Sequence, residues 1–401
     1  QSEAERPKLK QQLRGDAMLK RWKLAILGAV LIVVGGLIAH LTQTAGGIRI
    51  QDVRFKGAKG NTMSALLYVP ANATAQTPAP GILAVHGYIN SRETQDGFAI
   101  EFARRGYVVL ALDQTGHGYS DPPAFANGFG GPDGLAYLRS LDMVDKANIG
   151  LEGHSMGGWT VLAAAAAMPD DYKSMVLEGS STGKPFAADG TPSWPRNTAL
   201  VFAQYEEFST LMWGEDLARD VTKSPKLWAM FGTQGPVEPG KVYGSPAAGT
   251  ARVLYTPAIT HPAEHISHEA IGYSLDWFAQ TLQGGTPRSS GDQIWFRKEL
   301  GTLVALVGFI ALLIGTFDGL LEAQMFSRLR LPAVPDGTMP PHEAATGRRW
   351  TTAFILSAFL PALTYYPAFA AGGTFVKPMA FLPQGITNQI LVWAVINGLI
   401  T

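Results

Sequence analysis

Two apolar runs limit what this chain can fold into. Leu24 to Ala39, LAILGAVLIVVGGLIA, carries no charge, and Leu300 to Phe317, LGTLVALVGFIALLIGTF, is equally free of it. In hydrocarbon an exposed backbone must satisfy its own polar groups, and a helix of about 20 residues does so while crossing a bilayer. Transmembrane helices are therefore expected over 22–42 and 300–320. Two weaker runs, 350–371 and 385–401, are expected as a third and fourth span, the last open to being truncated because the chain stops while still apolar. A cleaved signal is the rival for the first run, but AHLTQTAGG is a poor processing site and a long polar segment precedes the run.

Basic residues near the spans set the orientation. Lys8, Lys10, Arg14, Lys20, Arg21 and Lys23 precede the first run, which assigns residues 1–21 to the cytoplasm and the stretch from Thr42 to Arg297 to the outside of a plasma or inner membrane. Arg328, Arg330, Arg348 and Arg349 agree, whereas Arg297 and Lys298 fall on the wrong side. Basic and acidic residues balance at 32 each, so nothing invites nucleic acid. The absence of cysteine excludes disulfides and thiolate catalysis. No cofactor or metal is expected, and no feature indicates an oligomeric state.

Between the first two spans, strand and helix signals alternate, as in a mostly parallel sheet covered on both faces. The domain is expected over 48–284. IRIQDVRF, MSALLYV, GILAVHG, YVVLALD, ANIGLEG, KSMVLEG, KLWAMFG and ARVLYTP read as strands. ETQDGFAIEFARRG, the stretch 134–144, MGGWTVLAAAAAM and SHEAIGYSLDWFAQTL read as helices, the last with Ser267 as N-cap. The connection Gly179 to Ser224 is too long for this rhythm. Within it, NTALVFAQYEEFSTLMW repeats Phe202, Tyr205, Phe208 and Met212 at helical spacing. A helical insertion over 179–224 is expected, either packed on the domain or forming a cap over an apolar pocket.

The chemistry points to NIGLEGHSMGGWT, Asn148 to Thr160. A strand ending at Glu152 and a helix starting near Met156 leave a sharp turn for Ser155, with Gly153 and Gly157 removing side chains that would collide. Such a turn lifts a serine hydroxyl to the N-terminus of a helix, where developing negative charge is favoured. A serine needs an imidazole to take its proton, and the imidazole needs a carboxylate to fix its tautomer. Downstream of the last strand, PAITHPAEHISHEA offers His261, nearest the strand end, with His265 as alternate and His268 in the first helical turn.

These features resemble the α/β-hydrolase superfamily over about Ile48 to Leu282, through LAVHGY, LALDQTGHGYSD and GHSMGG. The resemblance implies an α/β-hydrolase fold, with transmembrane helices at both ends here. It also implies a serine hydrolase working through an acyl-enzyme on Ser155, the backbone amides of Tyr88 and Met156 forming the oxyanion hole. Thr115 stands where the family usually has arginine, and His117 lies after the wrong strand to be the base. In the family an aspartate follows three residues after a glycine beyond the seventh strand; FGTQGPVEPG puts Gly235 there, leaving Glu238 or Glu178 as the acid. A membrane-anchored esterase or lipase for a small-molecule or lipid-like acyl substrate is expected, an ester being favoured over a thioester or amide. An acyltransferase using the same acyl-enzyme and a catalytically degenerate binding or sensing module are the alternatives.

Overall fold

The computed structural model describes residues 5–321, 323–329, 347–377, 379, 381–382 and 385–400. Residues 1–4 of the expected cytoplasmic segment, Arg330 and Thr401 lie outside them. The chain divides into two units, Gln1–Thr42 with Phe296–Leu363, and Gln43–Trp295 with Thr364–Thr401.

In the first unit, helix α1 (Glu5–Gln43) runs antiparallel to a long helix, Trp295–Leu320, numbered α8 below. Their contact is made of glycines at seven-residue intervals, Gly28 and Gly35 on one helix, Gly301, Gly308 and Gly315 on the other. A Cβ on Gly28 would sit 2.3 Å from the Leu312 amide nitrogen, and one on Gly35 would sit 2.4 Å from the Gly301 carbonyl oxygen. Backbone therefore meets backbone, the approach that small residues permit between helices in lipid. Among the described residues, three helical stretches are long and apolar enough to cross a membrane: Trp22–Gln43, Trp295–Leu320 and Trp350–Phe375.

The second unit is built on an eight-stranded sheet. Its elements follow as β1 (Arg49–Lys56), β2 (Thr62–Val69), β3 (Ala79–Val85), α2 (Asp96–Arg104), β4 (Val108–Asp113), α3 (Gly131–Ser140), β5 (Val144–His154), α4 (Met156–Ala167) and β6 (Ser174–Glu178). Next come β7 (Thr198–Val201), α5 (Ser209–Trp213), α6 (Pro225–Phe231), β8 (Arg252–Tyr255) and α7 (His268–Thr281). The strand order is β1-β2-β4-β3-β5-β6-β7-β8; β2 is antiparallel to both neighbours and the run from β4 to β8 is parallel. Inner strands such as APGILAV are buried throughout, as parallel strands covered on both faces must be, whereas the edge strand RIQDVRFK is largely exposed. One apolar core packs the α3 and α4 side (Leu135, Leu138, Leu162) and another packs α2 and α7 (Phe98, Trp277, Phe278). Beyond α8 lie α9 (Arg348–Phe375) and α10 (Gly385–Ile400); at 16 residues α10 is a shorter apolar helix, so the fourth span expected over 385–401 is not among the three stretches long enough to cross a membrane.

Two assignments made from the sequence fail together. KLWAMFG is no strand but α6: Ser224 precedes it with extended backbone, Pro225 takes its first turn, and Gly232 closes it in the left-handed conformation (φ 68°). The seventh strand is instead TALV, β7, in the middle of the stretch expected as one helical insertion. The connection therefore splits into 179–197 before β7 and 202–251 after it. The repeat of Phe202, Tyr205, Phe208 and Met212 is not one helical face, since Phe202 and Met212 are buried while Tyr205 is 62% exposed.

Candidate active site

The chain order reverses around β3, which pairs with β4 on one side and β5 on the other. A crevice opens beyond the carboxyl ends of strands at such a switch point. Two loops flank it here, HGY after β3 and the turn between β5 and α4. Ser155 occupies that turn with φ 54° and ψ −119°, a conformation rare for a residue with a side chain. It is held there because the Ser155 N–H donates to the Glu178 carbonyl at 2.8 Å and the Gly158 N–H donates to the Ser155 carbonyl at 3.0 Å.

The flanking glycines are required by contact. A Cβ on Gly153 would lie 2.3 Å from the Gly157 carbonyl oxygen, and one on Gly157 would lie 2.1 Å from that of Val85. Gly87 is confined less tightly: its Cβ would come within 3.2 Å of the Ser155 Cβ and 3.0 Å of His154 Nδ1. A cleft of ≈ 440 Å³ with largely apolar walls runs over this point. Its lining comes from Gly87, Tyr88, Ile89 and Asn90 after β3, His154 and Ser155 on the turn, Glu207 and Phe208 after β7, and His261, Pro262 and His265 after β8.

Ser155 and His261 thus share one cleft. His261 Nδ1 donates to Glu206 Oε2 at 2.7 Å, with the Glu206 side chain fully buried and that of His261 9% exposed. The neighbouring Glu207 accepts the His261 backbone N–H at 3.0 Å, and Phe208 meets the imidazole edge-on at 5.0 Å between centroids. Three consecutive residues after β7 therefore fix the ring, its backbone and one of its faces.

Neither carboxylate expected from the sequence bonds to this histidine. Glu238 is exposed and pairs with Lys241 at 3.1 Å. Glu178 is buried at the end of β6, accepts the Ser274 hydroxyl, and is pushed well above the usual carboxylate range by burial. The physical reason is the displaced seventh strand. Counted from β7, Ala203 takes the place of the glycine, and Glu206 follows it by three residues. The signal was present in AQYEEF, hidden by reading that stretch as helix.

His265, the alternate, lies beside His154 with ring centroids 3.9 Å apart, and burial lowers it to about 4. His268 opens α7 and packs on Trp295 at 5.2 Å. His117 is buried in the loop after β4, where its Nδ1 donates to the Thr115 carbonyl at 3.1 Å. Tyr88 lines the cleft, and Met156 is the first residue of α4, whose opening amides have no partner within the helix.

The two flanking loops are tied together by Gln114. Its N–H donates to His86 Nε2 at 3.2 Å, its side-chain amide donates to the His86 carbonyl, and its Oε1 accepts the Thr160 hydroxyl from α4. His86 Nδ1 in turn donates to the Gly87 carbonyl at 2.7 Å, and burial lowers this imidazole to about 3, so it stays neutral.

Residues 80–211 match the family model described as the alpha/beta hydrolase fold, and the domain has that fold with a mixed eight-stranded sheet. The chain is 31% identical over 191 residues to a monoacylglycerol lipase of Mycolicibacterium smegmatis, covering 45% of this chain and 63% of that protein. It is 38% identical over 80 residues to a 2-hydroxy-6-oxononadienedioate/2-hydroxy-6-oxononatrienedioate hydrolase of Cupriavidus pinatubonensis, 20% of this chain and 28% of that one. It thus spans less than two thirds of the length of these curated relatives. Among solved structures, a bacterial heroin esterase aligns with a TM-score of 0.44 at 15% identity, over 63% of this chain and 88% of the other.

Proposed function

We propose that the domain is a serine esterase that cleaves an ester of an apolar acyl group through an acyl-enzyme on Ser155. The observation that carries this reading is the 2.7 Å bond from His261 Nδ1 to the buried Glu206, in the cleft that also holds the strained Ser155. Glu206 leaves His261 Nε2 as the basic nitrogen. His261 removes the hydroxyl proton as Ser155 Oγ attacks the ester carbonyl carbon, and the amides of Tyr88 and Met156 receive the resulting oxyanion. Collapse of the tetrahedral intermediate expels the alcohol, which takes the proton back from His261. Water then repeats the sequence, its proton going to His261 and on to Ser155 as the carboxylic acid leaves.

Apolar walls and exposed aromatic side chains at the mouth, Tyr88 at 47% and Phe208 at 48%, favour a lipid-like acyl chain. The similarity to a monoacylglycerol lipase supports the same class. The three apolar helices support anchoring in a bilayer, and the basic residues before the first favour a cytoplasmic N-terminus with the hydrolase domain on the opposite side. The reading as a degenerate binding module rested on a missing acid, and Glu206 fills that role.

The test is turnover of short- and long-chain p-nitrophenyl esters by the parent and Ser155→Ala, with fluorophosphonate labelling of Ser155. Activity in the Ser155→Ala protein equal to the parent on both esters would end the proposal. Product analysis with added alcohols separates hydrolysis from acyl transfer, the two fates of one acyl-enzyme.

A further inference from the structure

Two buried groups beside the proposed triad have no part in the steps above. His154 is the last residue of β5, next to Ser155 in sequence. Its Nε2–H donates to the His261 carbonyl at 3.1 Å and stands 3.3 Å from Glu264 Oε2. Glu264 lies three residues beyond His261, in the 3-10 turn Pro262–Ile266, and is fully buried. Its Oε1 accepts the N–H of Ala203 at 3.0 Å, three residues before Glu206. The pair therefore touches the loops of all three proposed triad members. The loop after β6 is pressed against it too: a Cβ on Gly179 (φ 49°) would sit 2.3 Å from Glu264 Oε2 and 2.8 Å from His261 Nδ1.

We propose that His154 and Glu264 are positioning residues, a buried pair that holds the loops bearing Ser155, Glu206 and His261 in register from a single point. The proposal rests on the serine-hydrolase reading above. Its geometric content is that the reacting groups come from separate strand ends, so a shift of one loop by an ångström misaligns the proton path, an error that costs about 100-fold in rate.

The pair works uncharged. Burial, together with the carboxylates of Glu178, Glu206 and Glu207, pushes Glu264 well above the usual range, while burial and the neighbouring His265 and His261 push His154 well below its own. A neutral Glu264 keeps Oε1 as the acceptor of the Ala203 N–H. It adds no anion to Glu206 and Glu207 beside His261, leaving Glu206 to orient the ring.

This predicts a specific pattern in the full-length protein. Glu264→Gln, which keeps the shape and the neutral acceptor, retains the parent kcat, KM and pH–rate profile. Glu264→Ala and His154→Leu lower kcat and the fluorophosphonate labelling rate by about 10- to 100-fold with KM nearly unchanged, at temperatures where melting curves show each variant folded. Parent-like kcat and labelling in both truncations would overturn the positioning role. A Glu264→Gln protein as slow as Glu264→Ala, with the acidic limb of kcat/KM displaced, would overturn the neutral-acid assignment. Ser155→Ala, run in parallel, identifies the other failure: if it stays active, the serine-hydrolase reading falls and this inference with it.

Discussion

Replacing Glu206 with glutamine removes one charge from beside His261 while keeping the side chain's size. The carboxylate is fully buried and bonded at 2.7 Å to an imidazole whose side chain is 9% exposed. In the proposed reaction His261 becomes an imidazolium, and two unit charges about 4 Å apart at an effective dielectric near 20 attract by about 4 kcal/mol. Losing that attraction costs about 10³-fold in kcat. The glutamine amide can also turn its NH₂ toward Nδ1 and favour the wrong tautomer, which takes the expected loss to about 10³–10⁴-fold. KM should change little, because Glu206 faces His261 rather than the acyl chain. The assay is steady-state hydrolysis of a p-nitrophenyl ester by the detergent-solubilised protein, beside Glu238→Gln and Glu178→Gln as controls. Both controls should retain activity, the first because Glu238 is exposed on another loop, the second because burial pushes Glu178 toward the neutral form that glutamine mimics. A kcat for Glu206→Gln within tenfold of the parent would refute the reasoning.

Other expectations address the fold and the cleft. Burial raises Glu152 from 4.5 to about 8, so between those pH values the folded chain keeps a proton that the unfolded chain sheds, and stability falls as pH rises, by about 1.4 kcal/mol per unit for this group. Glu152→Gln should flatten that slope in melting temperatures measured from pH 5 to 8; an unchanged slope would count against a protonated Glu152. Gly157→Ala forces a methyl to within 2.1 Å of the Val85 carbonyl oxygen. It should destabilise the domain by about 1–3 kcal/mol or more, read from thermal unfolding, and depress activity with it. Phe208→Ala opens the cleft beside His261 and should shift preference toward longer or bulkier acyl groups in a chain-length series of esters. A Cβ at position 35 would lie 2.4 Å from the Gly301 carbonyl oxygen, so Gly35→Leu should weaken pairing of α1 with α8, read by cross-linking of cysteines introduced on the two helices.

Much of this protein was legible in the order of its residues, because the signals involved are local. A charge-free run of the length of Leu24 to Ala39 specifies a helix wherever it goes. The elbow glycines follow from the sterics of one tight turn, and the structure gives each a backbone atom that a side chain would strike. Ser267 caps α7 as expected, accepting the Ala270 N–H at 3.1 Å. Local signals were also available where the reading failed. Ser224, Pro225 and Gly232 bracket a helix, but the apolar run LWAMF between them has the composition of a buried strand. TALV, at four residues, is too short for periodicity to distinguish from the helical repeat beside it.

What tertiary structure alone decided is which distant groups meet. Glu206 became the partner of His261, 55 residues away, because β7 and β8 lie side by side and deliver both loops to one edge of the sheet. The convergence of His154, Ala203 and Glu264 depends equally on the neighbouring strands β5 to β8. Strand pairing turns sequence separation into hydrogen-bond distance, and one misplaced strand moves the expected acid to the wrong loop. The nature of each proposed reacting group belongs to the sequence; its partner and burial belong to the sheet that brings the loops together.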